Sequence, residues 1–224
     1  MIALRNVTKT YQVSKEVAVT AVRNVSLNVD KGEFVVITGR SGSGKTTVLN
    51  LAAGLVKPTS GEVCLGNVNL WSLADREQSL LRNRQIGFVF QFPSLLPSLT
   101  VLENVALPTI FGTNHRGQDP RKRAAELLDM VGLSDKLSAY PRQLSAGQQQ
   151  RVVIARALIC QPDALLADEP TSNLDEQTER EIMDLFRDIH ARTGITIVLV
   201  THTSQLVAYG TRALEMAGGA IVKG

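Results

Sequence analysis

The sequence of 224 residues lacks the features that mark secreted, zinc-binding and membrane-spanning chains. It has only two cysteines, Cys64 and Cys160, which lie far apart and predict reduced, partly buried thiols in a cytosolic protein. Its three histidines are scattered, which argues against a zinc site. No stretch approaches about 18 consecutive apolar residues, so we expect no membrane-spanning helix. We also expect no signal peptide, because the first residues carry too short an apolar stretch. A role at a membrane would therefore require a separate spanning partner.

A strong net charge is also absent. The 24 Lys and Arg residues nearly balance the 21 Asp and Glu residues, giving a formal net charge of +3. That value is too small to argue for nucleic acid, and we expect no nucleic-acid partner. The hydrophobic fraction of 44% and charged fraction of 20% are those of a folded globular protein.

The order of the apolar patterns predicts an α/β fold. Strand-like segments near residues 2–7, 17–19 and 25–29 indicate an antiparallel sheet, and shorter strands are expected near 62–65 and 86–90. Two continuous apolar runs, 164–167 and 195–200, are typical of parallel strands covered on both faces. We therefore predict one domain over residues 1–224. It would have a mixed or parallel core sheet, an N-terminal antiparallel β subdomain and a helical subdomain at about 92–161.

A phosphate-binding loop is predicted between a strand at 34–37 and a helix that starts near 47. Its glycines let successive backbone N–H groups point inward as an anion cradle, and the helix adds its positive end. Lys45 would reach the outer phosphates, and the Thr46 hydroxyl would bind Mg²⁺. A plain glycine-rich turn is disfavoured, because Lys and Thr stand at the right offsets. The residues of this site are Gly39, Arg40, Ser41, Gly42, Ser43, Gly44, Lys45, Thr46 and Thr47.

Two further groups carry chemistry. Asp168 and Glu169 end a buried strand, where Asp168 suits the surroundings of Mg²⁺ and Glu169 can orient and deprotonate an attacking water. The alternative, a pair of solvated loop acids, is weakened by the apolar residues before them. Ser145 and Gln148 predict a capping box at the start of a long helix. That helix start can bind phosphate or serve only as a structural cap, and the residues alone favour neither.

At this point the chain resembles the ATP-binding cassette (ABC) ATPases, and the resemblance covers essentially its whole length. The phosphate loop, a signature-like run and the Asp168 strand end occur in the family's order. Gln91 matches the Q-loop glutamine, His202 matches the switch histidine, and Tyr11 matches the aromatic residue that stacks on adenine. The signature-like run is Leu144, Ser145, Ala146, Gly147 and Gln148, and the D-loop-like run is Ser172, Asn173, Leu174 and Asp175.

The resemblance implies a head-to-tail dimer that clamps two ATP molecules between subunits. Ser145 and the Gly147 N–H would touch the γ-phosphate of the ATP held by the opposite subunit. Gln91 would sense Mg²⁺ and the attacking water, and His202 would hold the γ-phosphate and the Glu169 geometry. Asp175 would communicate between the two sites. A homodimer and a heterodimer both stay open.

Two positions depart from the usual family pattern. Ala146 stands where the signature usually has glycine, and Asn173 stands where the D-loop often has alanine. Alanine suits a first helical position, although its methyl group would crowd an incoming phosphate. We expect ATP hydrolysis to survive both changes.

The stretch 92–108 carries more apolar residues than a short helix can bury, which indicates a surface that docks another protein. With residues 167–175, it resembles the lipoprotein-releasing, macrolide-export and cell-division branch of the family. This implies the ATPase subunit of an export or force-transmitting transporter, on the cytoplasmic face of the cell membrane with a separate permease chain. The alternatives are an importer ATPase and a soluble ABC ATPase that does not transport.

Overall fold

The structure is a computed structural model that describes residues 1–111 and 119–224. Its strands are β1 (Ile2–Gln12), β2 (Ala18–Val29), β3 (Phe34–Thr38), β4 (Ser60–Leu65), β5 (Val68–Asn69), β6 (Ile86–Val89), β7 (Ala164–Asp168), β8 (Thr196–Val200), β9 (Arg212–Ala217) and β10 (Ala220–Lys223). Its α-helices are α1 (Lys45–Ala52), α2 (Asp75–Gln85), α3 (Val101–Ala106), α4 (Pro120–Met130), α5 (Ala146–Leu158) and α6 (Glu176–Thr193).

A six-stranded sheet with the order β10-β9-β3-β8-β7-β6 forms the centre of the molecule. Strands β9, β3, β8, β7 and β6 are mutually parallel, and β10 joins the edge as an antiparallel hairpin. Every residue of β7 and β8 is buried, as their continuous apolar runs predicted. Because the parallel strands point the same way, the segments that follow β3, β6, β7 and β8 emerge at one edge of the sheet.

The second sheet is antiparallel, with the order β2-β1-β4-β5, which confirms the predicted pairing of the N-terminal strands. The predicted boundaries were wrong in one respect, because the segments near 17–19 and 25–29 form the single strand β2. The apolar alternation breaks within β2, where the pairing of β1 with β2 shifts register. At this irregularity the Asn24 N–H donates to Thr8 Oγ1 at 3.0 Å, and Asn24 adopts a φ of 47°.

Two buried clusters cover the opposite faces of the central sheet. Alternate residues of each strand face opposite sides, so Val36 joins one cluster and Val35 the other. The first cluster packs the sheet against α3, α4, α5 and α6, and the second packs it against α1 and the antiparallel sheet. The phosphate loop therefore lies where β3, the antiparallel sheet and α1 meet.

Helices α3, α4 and α5 lie within the range 92–161, for which a helical subdomain was predicted. Asp119 caps α4 by accepting from the Arg121 N–H at 2.9 Å, with Pro120 at the first helical position. The predicted capping box of α5 is present, since Ser145 Oγ accepts from the Gln148 N–H and Gln148 Oε1 accepts from the Ser145 N–H. None of the helices in residues 1–111 and 119–224 is long and apolar enough to span a membrane.

Candidate nucleotide-binding site

The phosphate loop holds backbone conformations that only glycine adopts easily. Gly44 has a φ of 100°, and a Cβ there would lie 2.3 Å from the carbonyl oxygen of Ala21 on β2. Gly39 has a φ of 151°, and a Cβ there would lie 2.3 Å from the Met216 carbonyl oxygen. The loop is therefore pressed against two neighbouring strands, which fixes its N–H groups in place.

Lys45 is buried at the start of α1, with 4% of its surface exposed. Its ammonium group donates to the Gly39 carbonyl at 2.8 Å and to the Arg40 carbonyl at 3.2 Å. The same nitrogen lies 3.8 Å from Glu169 Oε1. The loop therefore encloses a positive charge, and a phosphate would offer this charge better acceptors than backbone carbonyls.

Asp168 and Thr46 form a pair of oxygen donors beside the loop. The Thr46 hydroxyl donates to Asp168 Oδ1 at 3.0 Å. Burial raises the pKa of the Asp168 carboxyl above its ordinary 3.8, and the charge of Glu169 adds to the rise, while the Thr46 hydrogen bond and Lys45 oppose it. A cation at this point would favour the ionised form of the carboxylate.

Glu169 follows β7 with an unusual backbone conformation, a φ of 43°. Its N–H donates to the Val200 carbonyl at 2.9 Å, which holds the residue against the end of β8. Its carboxylate lies between two basic side chains. Oε1 faces the Lys45 ammonium group, and Oε2 lies 3.0 Å from His202 Nδ1. A non-glycine residue in the left-handed region is strained and persists only where neighbouring contacts hold it. Such residues are concentrated at functional sites.

Lys45, Thr46 and Glu169 line an open cleft of about 340 Å³, and Asp168 and His202 lie outside its lining. Gln91 lies at its side, and its Nε2 donates to Ser172 Oγ at 3.3 Å, which ties the predicted Q-loop glutamine to the start of the D-loop. The residues that line the cleft are Ala21, Ser41, Gly42, Ser43, Gly44, Lys45, Thr46, Thr47, Gln91 and Glu169.

The predicted signature residues do not line this cleft. Ser145 and Ala146 are exposed at the start of α5, Gly147 is buried, and Leu144 is packed in the core. In the D-loop, Asn173 is exposed, Leu174 packs against the core, and Asp175 caps α6 by accepting from Thr178 N at 3.0 Å.

Tyr11 also lies outside the lining of the cleft. The residue is 38% exposed, and the ammonium group of Lys9 lies 5.0 Å from the centre of its ring. Tyr11 pairs across the antiparallel sheet with Val19, two residues before Ala21. The hairpin therefore presents Tyr11 beyond the cleft, and the sequence reasoning missed Ala21, which contributes through its backbone and carries no side-chain signal.

The oxygen donors at the cleft fit Mg²⁺. Mg²⁺ commonly takes few protein ligands, such as a hydroxyl and one or two carboxylates, and completes its shell with phosphate and water. Thr46 and Asp168 supply such a pair. In the described ranges no three His, Cys, Asp or Glu side chains cluster as a complete protein cage for a metal. The pair of Thr46 and Asp168 oxygens suits a cation that arrives with a phosphate group.

The strand, glycine-rich loop and helix, with a buried lysine and an acidic strand end beside it, define a P-loop nucleoside triphosphatase. Comparison with known proteins narrows this class. A family model described as ABC transporter matches residues 22–172, and the chain belongs to this family.

Related proteins are similar in sequence over nearly the whole chain. An uncharacterised ABC transporter ATP-binding protein of Methanocaldococcus jannaschii, MJ0796, is 47% identical over 99% of this chain and 95% of its own length. The lipoprotein-releasing system ATP-binding protein LolD 1 of Chlorobium chlorochromatii is 41% identical over 99% of this chain and 90% of its own length. The macrolide export ATP-binding/permease protein MacB of Rhodopirellula baltica is 42% identical over this whole chain, which spans 33% of that protein.

A solved structure extends the likeness to three dimensions. The dimeric, post-hydrolysis cassette MJ0796 bound to ADP and Pi superposes with a TM-score of 0.90 at 46% identity, covering 100% of this chain and 97% of that one. The protein is an ABC-type ATPase, the ATP-binding subunit of a transporter, and its fold is the mixed α/β cassette that the sequence predicted.

Proposed function

We propose that Glu169 is the catalytic base for ATP hydrolysis and that His202 orients it. The observation that carries this proposal is the position of one carboxylate between Lys45 and His202 at the mouth of the phosphate loop. A carboxylate held from two sides keeps one geometry, as a base must to accept a proton from an attacking water.

The remaining groups bind the phosphates. The loop N–H groups and Lys45 hold the β- and γ-phosphates, and Gln91 positions the water from the side of the cleft. Thr46 and Asp168 hold Mg²⁺, with Gln91 beside it, and this ion neutralises phosphate charge. Tyr11 carries the adenine beyond the cleft, where an exposed aromatic face is available.

The second half of each site comes from another subunit. The signature residues 144–148 lie outside the cleft of their own chain, and Ser145 is exposed at the positive end of a capped helix. The related MJ0796 cassette is dimeric with ADP and Pi. We infer a head-to-tail dimer, either of two copies of this chain or with a similar partner, in which Asp175 lies between the two sites.

The chain acts with a membrane subunit on the cytoplasmic face of the cell membrane, and a groove next to the Q-loop receives that subunit. The groove has a volume of about 360 Å³ between β6, α5 and the segment after α3. Phe90 and Phe111 line it and are 42% and 74% exposed, and Phe92, two residues after Phe90 in the chain, is 66% exposed. Such exposed aromatic groups are typical of a protein-docking surface.

Likeness to LolD and MacB supports an export or force-transmitting transporter. A pull-down from membranes tests this choice. Recovery of a four-helix permease with a large extracytoplasmic domain supports it, and recovery of a binding-protein-dependent permease supports an importer instead.

Steady-state hydrolysis of ATP tests the catalytic assignment. Glu169→Gln should lower kcat about 10²–10⁴-fold, the usual effect of losing a positioned base. Glu176→Gln is the matched control, because Glu176 is an exposed carboxylate near the start of α6 that pairs only with Arg180 in the described contacts. Full activity of Glu169→Gln, or an equal loss in both variants, would reject the assignment.

A further inference from the structure

Thr178, in the first turn of α6, contacts two functional segments at once. Its hydroxyl donates to Asp175 Oδ2 at 2.6 Å, and its N–H donates to Asp175 Oδ1 at 3.0 Å. Its methyl group points at α5, where a Cβ on Gly147 would lie 2.5 Å from Thr178 Cγ2. One side chain therefore lies between the D-loop and the signature turn of the same subunit.

The contact explains why glycine occupies position 147. Gly147 lies inside α5, outside the left-handed region, so its backbone conformation does not require glycine. Separations below about 3.0 Å are absent from real Cβ contacts, so any larger residue would push Thr178 away from α5. Such a push would move the hydroxyl that holds Asp175. The contact between Gly147 on α5 and Thr178 on α6 therefore forms within one chain and does not require a bound phosphate.

The D-loop end of this contact is firmly held. The Thr178 hydroxyl, followed by its N–H, lowers the pKa of the Asp175 carboxyl. A second bond holds the residue just before the D-loop, since Thr171 Oγ1 donates to Glu179 Oε2 at 2.8 Å. Hydrogen bonds therefore join the first turn of α6 to the D-loop and to the residue before it.

We propose that Thr178 is a positioning residue that fixes the spacing between the signature turn, residues 145–148, and the D-loop, residues 172–175. The inference rests on the dimer of the proposed function, in which the signature turn touches one nucleotide and Asp175 lies between both sites. A shift of the α5 start when nucleotide binds displaces Thr178 and so displaces Asp175. Thr178 thereby couples one nucleotide site to the other.

A second-site rescue tests the steric half of this proposal. In a Glu169→Gln parent, light scattering gives the Mg-ATP concentration for half-maximal dimer formation. Gly147→Ala should raise that concentration about tenfold, within the range of couplings between contacting residues. Adding Thr178→Ser removes Cγ2 and keeps the hydroxyl, so the double variant should return to within about threefold of the parent. A double variant no better than Gly147→Ala would overturn the inference.

A substitution that keeps the methyl contact tests the polar half. Thr178→Val replaces the hydroxyl with a methyl group of similar size at a half-exposed position and keeps Cγ2. In the otherwise natural chain we expect a thermal midpoint about 2–4 °C lower, because one hydrogen bond to Asp175 is lost. We also expect a kcat about tenfold lower, beyond what that small loss of stability explains, and a KM altered less than about twofold. Thr178→Ser keeps the bond to Asp175 and should lose less kcat than Thr178→Val. An unchanged kcat in Thr178→Val, or a loss explained by a lower thermal midpoint, would contradict the positioning role.

The parent variant separates the two levels of the proposal. If Glu169→Gln stays monomeric at saturating Mg-ATP, the dimer and the role of Thr178 both fail. If the parent dimerises and the rescue is absent, only the role of Thr178 fails.

Discussion

Asp168 shows how a single functional residue can cost stability. Its pKa is raised in the folded chain, mainly by burial, so between pH 3.8 and that raised pKa the folded state binds more protons than the unfolded state. The contribution of this group to stability is therefore greatest at low pH and is lost as the pH rises through the raised pKa. At neutral pH the buried carboxylate destabilises the nucleotide-free protein.

Asp168→Asn should therefore stabilise the nucleotide-free protein at pH 7, by about 1 kcal/mol, the scale on which such exchanges at functional sites act. The amide oxygen can still accept from Thr46, so no buried hydroxyl is orphaned. Thermal unfolding of the nucleotide-free protein measures this gain, and thermal unfolding with ATP, with and without Mg²⁺, measures the stabilisation that the ion adds. The extra stabilisation by Mg²⁺ should be lost in the variant. A less stable variant, or one that retains the full Mg²⁺ effect, contradicts this account of Asp168.

Residues differ in how far the sequence alone could place them. Asp168 and Glu169 were placed correctly at the end of a buried strand, because an apolar run followed by acids is a local pattern. Ala21 and Thr178 carry no such pattern. Their contacts, with Gly44 and Gly147, join elements that are distant in sequence, and only the packed structure brings them together.

At the scale of elements, the phosphate loop depends on its contact with β2. Gly42 and Gly44 both have positive φ, at 77° and 100°, so alanine is strained at either position. They differ in surroundings, since a Cβ on Gly42 meets nothing within 4 Å and one on Gly44 meets the Ala21 carbonyl oxygen.

Gly44→Ala should therefore destabilise the protein more than Gly42→Ala. We expect about 1–2 kcal/mol for the backbone strain in both. A further loss of about 1–3 kcal/mol is expected from overpacking in Gly44→Ala alone. Urea unfolding of the nucleotide-free protein measures the difference. Equal losses of unfolding free energy in the two variants would show that β2 shifts to accommodate the added methyl group and does not determine the shape of the loop.

Strands β3, β6, β7 and β8 of the central sheet were predicted from the sequence, whereas β9, β10 and the course of β2 were not. Buried parallel strands such as β7 and β8 show continuous apolar runs, which can be recognised in the sequence without knowing the neighbouring strands. Strand β2 was predicted as two pieces because its alternation breaks, and the structure carries the strand through the irregularity around Asn24. Pairing with β1 decides this, and pairing partners are not visible in a local window.

At the scale of the whole molecule, opposite edges of the central sheet allow a controlled test of docking. Phe92→Ser with Phe111→Ser removes two exposed rings at the β6 side, and Val222→Ser removes an exposed apolar residue from β10, at the other edge. The double variant should recover at least about tenfold less permease in a detergent pull-down, because buried aromatic groups dominate interfaces. ATPase activity of the purified chain should be unchanged. Equal recovery of permease with both variants would show that the docking surface does not lie at the β6 side of the sheet.

The central claim is that each nucleotide is bound by residues of two chains. The most direct measurement is the mass of Glu169→Gln in solution, by light scattering, with Mg-ATP and with Mg-ADP. The account predicts twice the monomer mass with Mg-ATP and the monomer mass with Mg-ADP, because only the γ-phosphate joins the phosphate loop to the facing signature turn. A monomer at saturating Mg-ATP, from a preparation shown to bind that nucleotide, would contradict it.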